Sequence, residues 1–158
     1  DEAVSLYGRQ SNSGTFTFFR EFVVKADYSP DMKGLNGNSQ ITEAIGNDKG
    51  GVGYVGVAYA IDSKTKKTLP GIKVLSVATE AGGKFINPLD EKNVTTGKYP
   101  ITRPLYQYFV STDSELVKFL KYELGAEGRK IIRNEGFYEI KNEWKAENDK
   151  VLSQIGKN

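Results

Sequence analysis

Residues 9–15, Arg-Gln-Ser-Asn-Ser-Gly-Thr, combine in one short stretch the groups that bind a tetrahedral oxyanion. Arg9 offers a planar guanidinium that can donate two parallel hydrogen bonds. Ser13 and Thr15 add hydroxyl donors, and Gly14 lets an oxyanion approach the backbone closely. A segment with helical spacing follows, so free N–H groups and the helix dipole would favour an anion at the same place. The residues allow two interpretations, an anion site or a plain polar turn with a helix cap and a surface arginine.

A second stretch, residues 51–56, has the sequence Gly-Val-Gly-Tyr-Val-Gly and matches the glycine pattern of dinucleotide-binding loops. Such a loop requires a helix directly after the glycines, because the helix N-terminus holds the pyrophosphate. Here residues 57–61 are Val-Ala-Tyr-Ala-Ile, which is typical of a strand. We therefore interpret residues 52–61 as a central strand buried on both faces, and not as part of a nucleotide site.

The composition excludes several classes of site. The chain contains no Cys and no His, which excludes disulfides, thiol catalysis, Cys- or His-ligated metal centres and Ser-His-Asp hydrolases. Its 22 Lys and Arg residues nearly balance 20 Asp and Glu residues, and the net charge of +2 predicts no nucleic-acid partner. The carboxylates are scattered over predicted loops and helix ends, so we predict no metal site. A length of 158 residues with 38% hydrophobic residues fits one folded domain.

The elements that must position residues 9–15 are those of an α/β chain. Most glycines and all 5 prolines lie within residues 1–110, which predicts strands, turns and short helices, whereas residues 111–158 have a helical pattern. Asn12 or Ser13 is the expected cap of an amphipathic helix over residues 14–25. The remaining predictions are strands at 4–7, 52–61, 72–77 and 105–110, a loop at 33–38, helices at 39–45, 127–134 and 142–155, and a capping box at 112–115 that starts a helix ending at Gly125.

Four stretches of the chain stand in a characteristic order. They are residues 7–15 (YGRQSNSGT), 51–59 (GVGYVGVAY), 97–106 (GKYPITRPLY), and 127–132 with 135–137 (EGRKII and EGF). Together they resemble landmarks of the phosphate-binding proteins of ABC transporters, a family of type II periplasmic-binding proteins. The resemblance covers the chain to about residue 140, and the ordered set is far more specific than any one stretch.

The resemblance implies a lobe of a type II periplasmic-binding-protein-like fold, which is an α/β fold with a mixed sheet flanked by helices. Residues 1–110 would form the second lobe, including a returning strand. Residues 111–158 would be a C-terminal helical segment that packs on the first lobe. The N-terminal part of the family, with most of the first lobe, would be missing. In this family phosphate binds between the lobes and is handed to a membrane permease.

The family's Arg-x-x-x-Ser-Gly-Thr element carries the implied phosphate ligands. Many relatives have Asp at the position of Ser11, where it orients the arginine, and Gly at the position of Asn12. Ser11 cannot form an ion pair with Arg9, so the chain departs from the family in how the guanidinium is held. The residues implied to bind phosphate are Arg9, Ser13, Gly14 and Thr15, with Ser11 and Asn12 as further candidates.

The resemblance implies an extracytoplasmic solute-binding component of a phosphate ABC importer, without enzyme activity or a cofactor. Its partners would be inorganic phosphate, the membrane permease, and the missing N-terminal lobe or another chain. Alone, a half-cleft leaves the anion partly hydrated, which predicts weak binding or none. Two alternatives stay open. One is a phosphomonoesterase that uses the cradle to stabilise a transition state, although Ser13 has no identifiable base. The other is a structural or signalling module without ligand.

Overall fold

The computed structural model of the protein describes residues 3–110 and 113–155. Internal contacts group the chain into two compact units, which we call unit 1 (Asp1–Leu75) and unit 2 (Ser76–Asn158). The predicted α/β class is confirmed, because unit 1 holds a parallel sheet with helices and unit 2 is mainly helical. The predicted division into a second lobe and a C-terminal segment at residue 110 concerns a longer protein and stays a prediction.

Unit 1 is built on a three-stranded sheet, in which β1 (Ser5–Arg9) lies between β2 (Lys33–Leu35) and β3 (Gly51–Gly53). Tyr7 in the central strand lies opposite Lys33 on one side and Gly53 on the other, and both pairings are parallel. The carboxyl ends of all three strands therefore meet at one edge of the sheet. The elements are β1 (Ser5–Arg9), α1 (Gly14–Phe19), a π-helical turn (Arg20–Val24), β2 (Lys33–Leu35), α2 (Asn38–Gly46), β3 (Gly51–Gly53) and a 3-10 turn (Val57–Tyr59).

The helix predicted after the candidate anion stretch is confirmed by α1 and the π-helical turn that continues it. Its N-cap is Ser13, with an extended backbone at φ −99° and ψ 128°. The helical segment ends at Lys25, whose φ of 55° is in the left-handed region. The Lys25 N–H donates to the Arg20 carbonyl at 2.7 Å, which closes the wide final turn. The predicted strand near the N-terminus is confirmed as β1.

Helix α2 confirms a second predicted helix and covers one face of the sheet. Ile41 is fully buried, and Tyr7 of β1 is also part of the buried core of unit 1. A Cβ atom at Gly53 would lie 2.9 Å from Ile45 Cδ1 and 3.2 Å from Ile41 Cγ2, so glycine lets α2 lie close to β3. Gly51 and Gly53 thus serve helix–sheet packing. Only a three-residue 3-10 turn follows residues 51–56, which agrees with the rejection of a nucleotide site.

Two further predictions for unit 1 are wrong. The long central strand predicted at residues 52–61 is reduced to β3, which lies at the edge of the sheet and stops at Gly53. Tyr54 leaves the sheet because its ring stacks on Phe19 of α1. Conversely, β2 lies inside the loop predicted at residues 33–38. A three-residue strand carries no alternating pattern, and it forms because β1 supplies a hydrogen-bonding partner.

The strands predicted at residues 72–77 and 105–110 are also wrong. An isolated antiparallel bridge joins Val77 to Ile86 near the first segment. In the part of the chain that the structure describes, residues 105–110 pair with no strand, and Tyr108 is 91% exposed. Alternating apolar residues form a strand only where a neighbouring strand accepts and donates the backbone hydrogen bonds.

Unit 2 consists of helices with irregular connections. Helices α5 (Ala126–Asn134) and α6 (Asn142–Ile155) confirm two of the predicted helices. A third predicted helix is present as α4 (Ser114–Leu124). Its N-cap is Asp113, whose carboxylate accepts the Leu116 N–H at 2.8 Å. The predicted capping box placed the cap at Thr112, which lies outside the described residues. No helix in the described ranges is long and apolar enough to cross a membrane. The helices are α3 (Glu91–Thr95), α4 (Ser114–Leu124), α5 (Ala126–Asn134) and α6 (Asn142–Ile155).

Candidate functional site

The predicted site residues lie around the turn that joins β1 to α1. Arg9 is the last residue of β1, and Ser13 is the N-cap of α1. Gly14 and Thr15 are the first two helical residues. We call residues 10–13 the β1–α1 turn. It lies at the carboxyl edge of a parallel sheet, which is where open α/β folds bind ligands.

Backbone hydrogen bonds hold the β1–α1 turn in place at both ends. The Gln10 N–H donates to the Leu35 carbonyl of β2 at 3.2 Å, and the Ser13 N–H donates to the Gln10 carbonyl at 3.0 Å. Ser13 is buried, and its Oγ accepts the Thr15 N–H at 3.2 Å. Its carbonyl accepts the Thr17 N–H at 3.2 Å, the first bond of the helix. Ser13 therefore has a capping role, and its lone pairs are partly used by the helix.

The N-terminus of α1 presents backbone donors without a compensating negative charge. The N–H groups of Gly14 and Phe16 have no acceptor within the helix, because an intrahelical partner would require an earlier turn. The first turn of α1 contains no acidic residue. Gly14 is exposed, so a ligand can reach these donors. This end of the helix therefore favours an anion.

Arg9 has a buried donor that the chain leaves unsatisfied. Its Nε is buried and has no hydrogen-bond partner among the described residues, although the residue as a whole is only half-buried. Ser11 and Asn12 are exposed in the β1–α1 turn, and neither accepts a hydrogen bond from this Nε. A buried unpaired donor costs about 1–3 kcal/mol, and more when the group is charged.

The sequence reasoning missed an aromatic cluster under the turn. Tyr54 directly follows β3, and its Oη accepts the Arg9 backbone N–H at 3.3 Å. Its ring stacks on Phe19 with centroids 4.1 Å apart and an interplanar angle of 7°. The Tyr28 ring lies 5.8 Å from Tyr54 and 4.6 Å from Phe16. Arg9 and Tyr54 are 45 residues apart, so no local pattern could have linked them.

The Tyr28 hydroxyl keeps its proton. Burial first, and then its hydrogen bond with Tyr54, raises the pKa of Tyr28 well above the ordinary value. The protonated hydroxyl donates to the Phe16 carbonyl at 2.9 Å. The cluster thus holds α1 through an uncharged hydrogen bond and adds no charge to the site.

A second polar group lies away from the turn and has a structural role. The Tyr7 hydroxyl donates to Asp48 Oδ2 at 2.9 Å, and Lys33 Nζ donates to the Tyr7 Oη at 3.3 Å. Hydrogen bonds from the Ser5 side chain, the Tyr7 hydroxyl and the Gly50 N–H hold the pKa of Asp48 below its ordinary value. These contacts tie β1 to β2 and to the segment before β3.

Metal chemistry finds no support in the described ranges. Within residues 3–110 and 113–155, no three acidic, His or Cys side chains cluster as a metal site would require. The backbone donors at the β1–α1 turn are N–H groups, which bind anions, and its hydroxyls can donate to an anion as well.

Comparisons with known proteins show the family to which the chain belongs. The family model of a PBP superfamily domain matches residues 1–127. The phosphate-binding protein PstS of Pseudomonas aeruginosa is 28% identical over 140 residues, which is 85% of this chain and 41% of that protein. Protein SphX of Synechococcus elongatus is 27% identical over 84% of this chain and 38% of its own length. The chain thus spans about two-fifths of the length of these relatives.

A solved structure agrees on the fold. The crystal structure of a possible phosphate binding protein from Planctomyces limnophilus matches with a TM-score of 0.65 and 22% identity. The match covers 98% of this chain and 55% of that one. With the sheet order, the helix at its carboxyl edge and a family model that matches residues 1–127, the chain belongs to the PBP superfamily.

Proposed function

We propose that this chain is the phosphate-recognising part of the solute-binding component of a phosphate ABC importer. Inorganic phosphate would lie at the β1–α1 turn, against the N-terminus of α1. Arg9 would donate from its guanidinium, Ser13 and Thr15 from their hydroxyls, and Gly14 from its backbone. The observation that carries the proposal is the buried, unpaired Nε of Arg9 at the end of β1, four residues before the cap of a helix whose first turn has no acidic residue.

The chemistry of these donors suits a tetrahedral dianion. A guanidinium binds two oxygens of one phosphate, and backbone N–H groups of the first helical turn bind the others. Ser11 and Asn12 could each add one hydrogen bond from the exposed side of the turn. The relatives named phosphate-binding proteins support phosphate as the anion.

A binding role fits the site better than catalysis. The Ser13 Oγ accepts the Thr15 N–H and is buried, so it is held as a helix cap and has no neighbouring base. The chain contains no His or Cys that could act as one. We therefore propose recognition without turnover.

The proposed partners follow from the part of the relatives that this chain spans. A single turn covers one side of a phosphate, so the other side would be covered by the first lobe or by another chain. A membrane permease would receive the released phosphate. Such a component works outside the cytoplasmic membrane, and we propose an extracytoplasmic location. Binding by this chain alone would be weak, since the anion keeps part of its hydration.

Isothermal titration calorimetry with phosphate and with sulfate at matched ionic strength tests this proposal. Arg9→Ala should weaken phosphate binding by about 10- to 100-fold, the expected loss of a charged hydrogen bond. The matched control is Arg20→Ala, because Arg20 pairs with Glu21 and Asp27 at the far end of the helical segment. The control should bind phosphate as the parent chain does.

Three outcomes would contradict the proposal. Absence of phosphate binding in the parent chain would remove the site. Equal affinity for sulfate would remove the phosphate assignment. Equal losses in the Arg9 and Arg20 variants would show that only net charge matters.

A further inference from the structure

We propose that Tyr54 is the positioning residue of the phosphate site, because it holds the backbone of Arg9 and the helix α1 in one fixed arrangement. This inference rests on the proposed function. Tyr54 would not touch phosphate. It would act through Arg9, whose guanidinium can meet the helix N-terminus only if β1 and α1 keep their relative position.

The hydroxyl of Tyr54 takes the place of a strand carbonyl. Alternate residues of a strand donate to the same neighbour, and the Ser5 N–H donates toward β3, to the Gly50 carbonyl at 3.0 Å. The N–H of Arg9 therefore points to the same side. Strand β3 ends at Gly53, before it can supply an acceptor there. The Tyr54 Oη accepts this N–H at 3.3 Å instead.

The ring of Tyr54 holds the other end of the turn. It stacks on Phe19 of α1 with centroids 4.1 Å apart, nearly parallel at 7°. One side chain thus contacts both the last residue of β1 and the helix that starts five residues later along the chain. Tyr54 therefore holds β1 and α1 together, and these are the two elements that the β1–α1 turn connects.

Gly8 makes room for this side chain. A Cβ atom at Gly8 would lie 3.0 Å from both the Tyr54 Oη and its Cε1, and 2.7 Å from Met32 Sδ. A contact of 3.0 Å is tighter than nine in ten real Cβ contacts, so a side chain at Gly8 would displace the tyrosine by a few tenths of an ångström. The glycine therefore lets the Tyr54 hydroxyl lie against β1, within hydrogen-bond distance of the Arg9 backbone.

The substitution Tyr54→Phe tests the inference, because it keeps the stacked ring and removes the acceptor. We expect phosphate affinity to fall by about three- to tenfold, the usual effect of one hydrogen bond. We also expect the Arg9 amide to exchange with solvent faster in the absence of phosphate, as measured by NMR. The matched control is Tyr7→Phe, which removes the hydroxyl bound to Asp48 from the same strand. It should lower the thermal midpoint and leave both readouts unchanged.

The outcomes separate this inference from the proposed function. Suppose that the parent chain binds phosphate, and that Tyr54→Phe binds it equally well with an unchanged exchange rate of the Arg9 amide. The positioning role of Tyr54 is then wrong, and the proposed phosphate site is unaffected. If the parent chain binds no phosphate, the proposed function is wrong, and Arg9 exchange still decides whether Tyr54 holds the turn. If Tyr7→Phe lowers affinity as much as Tyr54→Phe, the effect is general destabilisation and the inference fails.

Discussion

The helices of unit 1 and unit 2 differ in the charge at their N-termini. The four helices described in unit 2 each have an acidic residue in the first turn, namely Glu91, Glu115, Glu127 and Glu143. Neither α1 nor α2 of unit 1 has one. A first-turn carboxylate neutralises the positive end of its own helix and repels other anions. Unit 2 therefore compensates its helix dipoles with its own carboxylates, whereas the N-terminus of α1 in unit 1 has no such compensating charge.

The two units also use their polar side chains differently. In unit 2, Glu139 accepts from Arg133 at 3.0 Å and from Lys145 at 3.1 Å, and so links the ends of two helices. Arg129 donates to the Leu124 carbonyl at 2.8 Å and closes the junction of α4 and α5. In unit 1, the Nε of Arg9 is buried without a described partner. Arg129 and Arg133 are thus satisfied within the chain, whereas the unsatisfied Nε of Arg9 at the sheet edge is the observation on which the proposed binding site rests.

Core substitutions give the largest expected effect and test whether the site depends on unit 1 alone. Ile41→Ala should destabilise unit 1 by about 2–5 kcal/mol, because it opens a cavity at a fully buried residue. The paired variant is Leu120→Ala in α4, which is 7% exposed. Urea unfolding measures both, and amide chemical shifts of residues 10–13 report on the site.

The expected difference lies in the β1–α1 turn. Ile41→Ala should shift its amide signals and weaken phosphate binding, whereas Leu120→Ala should leave both unchanged. If the two variants changed the amide signals of the turn equally, the site would depend on both units. The contrast drawn between the units would then be wrong.

A charge placed at the start of α1 gives an intermediate effect and sharpens the contrast in helix dipoles. Gly14→Glu should stabilise unit 1 by about 0.5–1.5 kcal/mol, since it removes a glycine and adds a first-turn carboxylate. The same change should weaken phosphate binding more than about tenfold, because the carboxylate competes for the donors. Calorimetry and urea unfolding measure the two effects.

The converse variant in unit 2 is Glu115→Gln. It should cost about 0.3–1 kcal/mol through the dipole of α4 and leave phosphate affinity unchanged. A Gly14→Glu variant that still binds phosphate tightly would place the anion away from the helix N-terminus.

The smallest expected effect is the acid sensitivity of unit 2. The hydrogen bond from Lys145, with the charges of Lys145 and Arg133, holds the pKa of Glu139 below its ordinary value of 4.5. A carboxylate with a lowered pKa stabilises the fold above its unfolded-state pKa and loses that contribution as pH falls through the folded-state pKa. Glu139→Gln should therefore cost up to about 1 kcal/mol at pH 7 and nothing in strong acid.

Urea unfolding followed from pH 7 to pH 2 checks this expectation. The gap between parent and variant should close as pH falls below 4.5. A gap that is independent of pH would mean that Glu139 contributes through packing and not through its charge.

The parts of the fold that were predicted correctly have local causes. Helices α2, α5 and α6 follow from apolar spacing and terminal residues within a few positions of each bond they make. The proposed site could be read for the same reason, since Arg9, Ser13, Gly14 and Thr15 lie within one short stretch. The helical pattern left Asn12 and Ser13 as possible caps, and the structure shows that Ser13 is the cap.

The wrong predictions concern strands, whose partners are distant in sequence. Residues 52–61 have strong strand propensity, yet only Gly51–Gly53 finds a partner in β1. Residues 33–38 have little propensity, yet they contain β2 for the same reason. Residues 105–110 have the apolar and aromatic sequence Leu-Tyr-Gln-Tyr-Phe-Val, yet they pair with no strand in the described ranges. Strand propensity alone does not make a strand, because a segment becomes one only where a neighbouring strand pairs with it.

The sequence by itself determined helices α1, α2, α4, α5 and α6 and the cluster of oxyanion donors, because these depend on residues within one or two turns of each other. Only the tertiary structure decided that Tyr54 meets Arg9, that β1 is the central strand, and that the Arg9 Nε is buried without a described partner. Each of these depends on the parallel pairing of β1 with β3, which joins segments more than 40 residues apart. The hydrogen-bond donors are recognisable from the sequence, whereas the residues that surround them in space are brought there by strand pairing.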